Sequence, residues 1–263
     1  YTVTFNYNGG QDSSGFAGPK EITGKALNQT VVEQDVPTVT MEGKNFLGWL
    51  NLNNNQTYET AAAVAEVAIT ADTSYIALWD TQTFDVTYQN YNQSSPSDTI
   101  VIPTVYGQQP AAPAVVPNGG YAFDYWEVVS PTDGVEIGDE TKTQLSADDL
   151  TKLEVTQAIT LKAVFKATDY TVTFDTNGGT FDGGSAPTYS VAYNAALSTA
   201  KDFVAPTVTK PGSEFRGWTK TGDDTLYTTG EHDEHYIGNV VITSDTVFIA
   251  SWSGDVRVTF NAN

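Results

Sequence analysis

The segment Tyr170-Thr171-Val172-Thr173-Phe174 decides the fold, because close copies of it return along the chain. Its apolar residues alternate with threonines, an alternation typical of a half-buried β-strand. The other copies begin at residues 1, 84 and 256: Tyr1-Thr2-Val3-Thr4-Phe5, Phe84-Asp85-Val86-Thr87-Tyr88 and Val256-Arg257-Val258-Thr259-Phe260. The sequence therefore predicts a repeated β-rich unit that opens on this strand.

Two further markers follow each of the first three copies in the same order. The first places a phenylalanine three residues before a tryptophan: Phe46-Leu47-Gly48-Trp49, Phe123-Asp124-Tyr125-Trp126 and Phe215-Arg216-Gly217-Trp218. The second closes the unit with an apolar strand: Tyr75-Ile76-Ala77-Leu78-Trp79, Leu161-Lys162-Ala163-Val164-Phe165 and Phe248-Ile249-Ala250-Ser251-Trp252. We predict three domains, 1–82, 83–168 and 169–254, followed by 255–263 as the first strand of a truncated fourth repeat.

Each predicted unit of roughly 85 residues is large enough to hold a small core of its own. The connecting segments are short and polar: Asp80-Thr81-Gln82-Thr83 and Lys166-Ala167-Thr168-Asp169. Short linkers restrict how far neighbouring domains can swing. We therefore expect a monomeric, elongated and semi-rigid rod.

Within a unit, the opening strand is followed by a turn. Asn8-Gly9-Gly10 and Asn177-Gly178-Gly179 supply residues that adopt positive φ at little cost. A phosphate-binding loop is the alternative, but no Gly-Lys-Ser/Thr and no helical pattern follow. Segments with helix-forming residues, Thr60–Ala68 and Ser146–Leu153, precede the closing strand. These patterns predict a small α+β domain with a mixed or antiparallel sheet.

The charge balance argues against two classes of partner. The 32 acidic and 12 basic residues give a net charge of −20, with no basic surplus to bind nucleic acid or an anionic lipid surface. The absence of cysteine excludes disulfides, thiolate zinc sites and cysteine nucleophiles. The sequence has no run of about 18 apolar residues, so it does not predict a membrane-spanning helix. Because the chain starts at Tyr1 directly in a strand pattern, we expect a segment of a longer protein.

Three motifs together resemble the Listeria–Bacteroides repeat, the B-repeat type of internalin B. They are the run from Tyr170 to Gly179, the pair Lys210-Pro211-Gly212 with Phe215-Arg216-Gly217-Trp218, and Ile242-Thr243-Ser244-Asp245-Thr246 before Trp252. Repeat 1 matches through Asn8-Gly9-Gly10, Gly48-Trp49 and Ile69-Thr70-Ala71-Asp72-Thr73. Repeat 2 departs from the pattern, with Asn90-Tyr91-Asn92 and Tyr125-Trp126 at the corresponding places.

The resemblance implies a tandem array of β-grasp-like (ubiquitin- or SUMO-like) domains; all-β sandwich-like repeats are the alternative. It also implies an extracellular setting on a bacterial cell surface, in a stalk or adhesin. We therefore expect a non-enzymatic protein-binding segment without catalytic residues, cofactor or metal. Its partners would be host or matrix proteins or glycans.

Several single residues allow more than one interpretation. Recurring tryptophans suit a glycan-binding module if they are exposed, and a core if they are buried. Both histidines of the chain lie in Glu231-His232-Asp233-Glu234-His235, where a metal site would be possible. The acidic pairs Asp223-Asp224 and Asp139-Glu140 could hold calcium only weakly, since no Asp-x-Asp-x-Asp-Gly loop exists. A lysine–asparagine isopeptide crosslink is a further possibility that no triad supports.

Overall fold

The computed structural model describes residues 1–254, so the predicted start of a fourth repeat at 255–263 lies outside the described residues. The chain divides into two compact units. One contains residues 1–89, 97–114 and 125–162, and the other contains 90–96, 115–124 and 163–254. These borders differ from those of the predicted repeats, which stay a prediction. Each of the three five-stranded sheets, however, is built from the strands of one predicted repeat.

The sheet of repeat 1 has the strand order β3-β1-β7-β5-β6. The opening strand β1 pairs in parallel with the closing strand β7, with Val3 opposite Thr73, and the other pairings are antiparallel. The strands β2 and β4 of the same repeat form a separate two-stranded ribbon. The strands are β1 Val3–Asn6, β2 Gln11–Asp12, β3 Lys20–Ile22, β4 Val39–Thr40, β5 Lys44–Asn51, β6 Gln56–Tyr58 and β7 Thr73–Thr81.

The sheet of repeat 2 has the equivalent order β13-β10-β14-β8-β9. Here β8 pairs in parallel with β14, with Val86 opposite Ile159. An additional hairpin, β11-β12, is inserted after the tryptophan strand. The strands are β8 Thr83–Gln89, β9 Thr99–Val105, β10 Tyr121–Ser130, β11 Val135–Ile137, β12 Glu140–Lys142, β13 Gln144–Leu145 and β14 Ile159–Ala167.

The sheet of repeat 3 has the order β17-β15-β23-β20-β21 and again one parallel pair, β15 with β23. Two short ribbons, β16-β19 and β18-β22, accompany it. The strands are β15 Asp169–Asp175, β16 Thr180–Phe181, β17 Thr188–Ala192, β18 Ala195–Ala196, β19 Val208–Thr209, β20 Phe215–Lys220, β21 Asp223–Tyr227, β22 Val241–Ile242 and β23 Thr246–Trp252.

The predicted α+β, β-grasp-like fold class is wrong. Strands contain 46% of the residues and helices 7%, so the structure is all-β. In the described range the α-helices are α1, Ala61–Ala65, and α2, Ala147–Leu150; the 3-10 turns are Glu33–Asp35, Leu197–Thr199 and Ile237–Asn239. The all-β alternative is compatible with this composition.

The two predicted helical segments form only short helices, because caps and propensity do not by themselves sustain a longer one. The two cap residues are placed as expected: Thr60 accepts from the Ala63 amide, and Ser146 forms a capping box with Asp149. A helix of one turn has too few internal hydrogen bonds to offset the ordering of its backbone. The chain after each helix returns to extended structure, where Ile69 and Val155 are fully buried in the core.

An asparagine with left-handed backbone ends the opening strand of every repeat. Asn8, Asn90 and Asn177 have φ of 50°, 53° and 48°. The side-chain amide of each donates to an alanine carbonyl of the closing strand, over 3.0, 2.8 and 3.1 Å, at Ala77, Ala163 and Ala250. Asparagine suits this position because it tolerates positive φ and its amide can satisfy a nearby backbone group. The turn predicted from Asn-Gly-Gly is therefore also present in repeat 2, which has no glycine there.

The glycine of each Gly-Trp motif lies at a β-bulge. The pairing register of β5 with β7 shifts between Phe46 and Gly48, and that of β20 with β23 shifts between Phe215 and Gly217. Gly48 has φ of +134° and Gly217 has φ of +142°, conformations that side chains rarely adopt. A Cβ at Gly217 would also lie 2.6 Å from the Tyr227 carbonyl oxygen. The bulge turns the following tryptophan into the core.

Candidate functional site

The recurring tryptophans are core residues. Trp49, Trp126 and Trp218 expose 1%, 1% and 0% of their surface, and Trp252 exposes 2%. Trp218 packs edge-on against Phe174 at 4.9 Å between ring centroids, and its indole N–H donates to the Pro206 carbonyl. A sugar stacks only on an exposed aromatic face, so these rings are not available for glycan binding. The core interpretation of the sequence pattern is confirmed.

The histidine segment is an exposed turn. His232 and His235 are both exposed, and no group of three or more metal-ligating side chains occurs within residues 1–254. Asp223 of the acidic pair is already engaged, since it accepts from the Tyr227 hydroxyl at 2.5 Å and from the Thr225 amide at 2.9 Å. These hydrogen bonds, with Lys220 nearby, lower the pKa of Asp223. The carboxylate therefore stabilises the β20-β21 hairpin.

The contact between Lys142 and Asp149 could resemble an isopeptide site, but it is an ion pair. Lys142 Nζ lies 2.7 Å from Asp149 Oδ1, and the Ser146 hydroxyl and amide also donate to Asp149. The hydrogen bond from Lys142, followed by those from Ser146, holds the pKa of Asp149 well below its usual range. An ionised carboxylate is a poor electrophile, so the chemistry favours a salt bridge over amide formation.

A cleft of about 660 Å³ in repeat 2 is lined by the inserted hairpin and by the segment Lys152–Ile159. Its polar side chains include Glu136 and Thr141, which face each other across the hairpin; the Thr141 hydroxyl donates to Glu136 Oε1 at 2.5 Å. Such a cross-strand pair stabilises a hairpin. We assign the contact to the hairpin and not to catalysis.

The most elaborate arrangement of the chain lies where repeat 2 meets repeat 1, within the first compact unit. Residues 41–44 form a β-turn in which the Lys44 amide donates to the Met41 carbonyl at 3.1 Å and Gly43 has φ of +67°. The Tyr106 ring of repeat 2 covers this glycine so closely that a Cβ there would overlap it. The Tyr106 hydroxyl donates to Glu42 Oε1 at 2.5 Å, which raises the pKa of Tyr106.

The linker takes part in the same arrangement. The Gln82 amide donates to the Gly43 carbonyl at 3.0 Å, and the Gln82 carbonyl accepts from the Tyr106 amide at 2.9 Å. One linker residue is thus bonded to the repeat before it and to the repeat after it. We call this combination of β-turn glycine, linker residue and tyrosine a joint.

A second joint lies between repeats 2 and 3, within the second compact unit. The turn 118–121 has Gly120 at φ +80°, covered by the Tyr193 ring. The Thr168 amide donates to the Gly120 carbonyl at 2.9 Å, and the Tyr193 amide donates to the Thr168 carbonyl at 2.8 Å. In place of a carboxylate, Tyr121 meets Tyr193 edge-on at 5.6 Å. The backbone pattern is the same as in the first joint.

Our sequence reasoning missed both joints. A signal was available, because Gly43 and Gly120 each lie three residues before the phenylalanine of the tryptophan motif. Tyr106 and Tyr193 each come directly after the strand that pairs antiparallel with the opening strand. This strand is β9 in repeat 2 and β17 in repeat 3. The partners lie far apart in the sequence, however, and one glycine and one tyrosine per repeat resemble ordinary turn and core residues.

The Listeria-Bacteroides repeat domain matches residues 1–77 and 170–251. The chain belongs to this family. Repeat domains of this family occur in surface-associated bacterial proteins. The predicted family resemblance is confirmed, and the unmatched stretch corresponds closely to repeat 2, the divergent copy.

A relative from Evansella cellulosilytica carries the name "Putative membrane protein" and is 26% identical over 227 residues. The similarity covers 85% of this chain but 29% of that relative, so the chain spans less than a third of its length. Among residues 1–254, no helix has the length and apolar character that a membrane span requires.

Proposed function

We propose that this chain is a non-enzymatic stalk segment of a bacterial cell-surface protein, which spaces and presents adhesive domains outside the cell. The joints carry this proposal. A spacer works only if successive domains keep a defined orientation, and a short polar linker restricts their swing without by itself fixing one orientation. In both joints the linker backbone is bonded on either side, and a tyrosine of the following repeat packs on the preceding one.

Two further observations support the proposal. The family occurs in surface-associated bacterial proteins. The net charge of −20 makes neighbouring copies repel, which favours a soluble, monomeric segment. Host or matrix proteins remain proposed partners of the complete protein. The glycan-binding alternative has lost the observation that motivated it, because the recurring tryptophans are buried.

The orientation can be measured directly, because the chain has no cysteine and accepts spin labels only where one is introduced. Ala62→Cys in repeat 1 and Gln157→Cys in repeat 2 place labels on exposed positions of the first compact unit. We expect a narrow distance distribution by pulsed electron spin resonance. Tyr106→Ala should broaden it, whereas Tyr91→Ala, outside the joint, should leave it narrow. A broad distribution in the unaltered joint would overturn the stalk proposal.

The placement and the rod shape need separate tests. Antibodies raised against this chain should label intact cells that express the parent protein; labelling only after lysis would contradict surface placement. The rod remains a prediction, which small-angle scattering of the purified chain tests. A radius of gyration close to that of one compact domain of this length would refute it.

A further inference from the structure

Repeat 3 carries a third copy of the turn on which both joints are built. The Ser213 amide donates to the Lys210 carbonyl at 3.1 Å, and Gly212 has φ of +74°. Gly212 lies three residues before Phe215, as Gly43 lies before Phe46 and Gly120 before Phe123. A turn with positive φ at its third residue favours glycine, so the backbone geometry is the same in all three repeats.

The three glycines differ in what covers them. Gly43 is buried under Tyr106, and Gly120 is half-buried under Tyr193. Gly212 is exposed, and apart from its two chain neighbours no described residue has a heavy atom within 4 Å of the place its Cβ would take. Repeat 3 therefore presents the same flat backbone surface without the ring that covers it elsewhere.

We propose that the turn Lys210–Ser213 is a docking surface for the tyrosine of a further repeat that follows repeat 3 directly. The inference rests on the proposed stalk function. It commits to a covalently following repeat because the linker residue is part of each joint. Gln82 and Thr168 come three residues after Trp79 and Phe165; the same position after Trp252 is Asp255, which lies outside the described residues.

The chemistry of the surface suits an aromatic ring. Pro211 stands beside Gly212 where Glu42 and Gly119 stand beside the other two glycines, so the turn offers an apolar ring edge. Lacking a carboxylate at this position, it resembles the second joint more than the first, whose tyrosine hydroxyl is bound by Glu42. The occupant should therefore be held by packing and by the linker hydrogen bonds.

A second copy of this chain does not supply the required ring. In the opening strand pairs, Val86 faces Ile102 and Val172 faces Tyr189, and the joint tyrosine comes four residues after each partner. In repeat 1, Val3 faces Ile22, and the residue four further on is Ala26. Repeat 1 therefore has no tyrosine to place on the Gly212 turn of another molecule.

The test adds one repeat to the complete chain. Because residues 256–263 align with 170–177, a copy of 178–254 joined after Asn263 completes a fourth repeat and brings a second copy of Tyr193. In glycine-labelled protein, a proton held over a ring face is shifted upfield by the ring current. Gly43 and Gly120 should show shifted α-protons in the original chain, and Gly212 should not.

In the extended chain we expect the Gly212 α-proton to move upfield, like those of Gly43 and Gly120. Replacing the added tyrosine by alanine should return it to its original position. A Gly212 signal that stays unshifted here and in the second extension described below, with Gly43 and Gly120 still shifted, overturns this inference alone. Unshifted signals at all three glycines would instead contradict the joints and with them the proposed function.

A second extended chain, with a different repeat added, guards against the case in which the first added repeat does not fold. Residues 1–255 followed by a copy of 83–168 would bring Tyr106 to the same place, with Asp255 as the linker residue. A Gly212 shift in either chain, abolished by the tyrosine-to-alanine change, supports the docking surface. Its absence in both chains overturns the inference.

Discussion

Repeats 2 and 3 build sheets of equivalent strand order from sequences that share few signature residues. Repeat 3 has Asn-Gly-Gly, Gly-Trp and a closing tryptophan, whereas repeat 2 has Asn90-Tyr91-Asn92, Tyr125-Trp126 and Phe165. Both keep a buried tryptophan in the strand next to the closing strand, and an asparagine bonded to the closing strand. The shared tryptophan and asparagine are therefore the residues that the common strand order needs. The residues that differ adjust the local structure of one repeat.

The largest effect should follow from removing the shared tryptophan. Trp218→Ala and Trp126→Ala each leave a large cavity, and we expect a loss of about 3–5 kcal/mol in the stability of the altered repeat. Trp218 contacts Phe174, Phe215 and Phe181, with centroids 4.9, 5.4 and 6.4 Å away, and Trp126 contacts Tyr88 at 5.1 Å, so each ring is central to the core of its repeat.

Hydrogen exchange of the closing-strand amides, β23 for repeat 3 and β14 for repeat 2, measures each loss separately. Replacing the exposed Val204 by alanine is the matched control and should change neither. Equal protection before and after Trp126→Ala would mean that repeat 2 does not depend on its tryptophan.

The sequence predicted the periodicity, the opening and closing strands and the buried tryptophans, because alternation and recurrence report directly on which side chains are buried. It overestimated helix, since Thr60 and Ser146 start helices that their own short segments cannot continue. It also missed the joints, because Gly43 and Tyr106 meet only through tertiary structure. Interactions between repeats leave no periodic pattern within either one.

The bulge glycine gives the next largest effect. Gly217→Ala would place a Cβ against the Tyr227 carbonyl oxygen in a backbone conformation with φ of +142°. We expect repeat 3 to lose about 1–3 kcal/mol. At the corresponding position of repeat 2, Tyr125 is not among the residues with positive φ, so Tyr125→Ala is the control. Urea titration followed by amide exchange would test this, and equal costs at both positions would contradict the bulge explanation.

A smaller effect should follow from Trp252→Phe, which gives repeat 3 the closing residue of repeat 2. The Trp252 indole N–H donates to the Thr176 carbonyl at 3.0 Å, as Trp79 donates to Tyr7 at 3.1 Å. Loss of one such hydrogen bond should cost about 1 kcal/mol. Trp79→Phe repeats the test in repeat 1. An unchanged unfolding midpoint in both variants would show that the indole hydrogen bond is not what favours tryptophan there.

The smallest effect should come from Asp149, a feature of repeat 2. Its folded pKa is lowered, first by Lys142 and then by Ser146, so its contribution to stability is present above the unfolded pKa of about 3.9 and is lost as the pH falls below that value. Asp149→Asn should therefore destabilise repeat 2 at neutral pH, and the difference from the wild type should shrink in acid.

Hydrogen exchange of the β14 amides, compared at neutral and acidic pH, follows the stability of repeat 2 in the wild type and the variant. Asp139→Asn, at an exposed position, is the control. A destabilisation of the Asp149 variant that persists unchanged at low pH would show that the carboxylate charge is not the cause.

The asparagines with left-handed backbone also determine where the chain is prone to deamidation. Asn8 and Asn177 are followed by glycine, the neighbour that most readily lets a backbone amide attack an asparagine side chain and release ammonia. Deamidation there would replace the donor that holds Ala77 or Ala250 by a carboxylate facing a carbonyl oxygen. Asn90 is followed by Tyr91, whose bulk slows that reaction. The divergent middle repeat is thus chemically the most durable of the three at this turn.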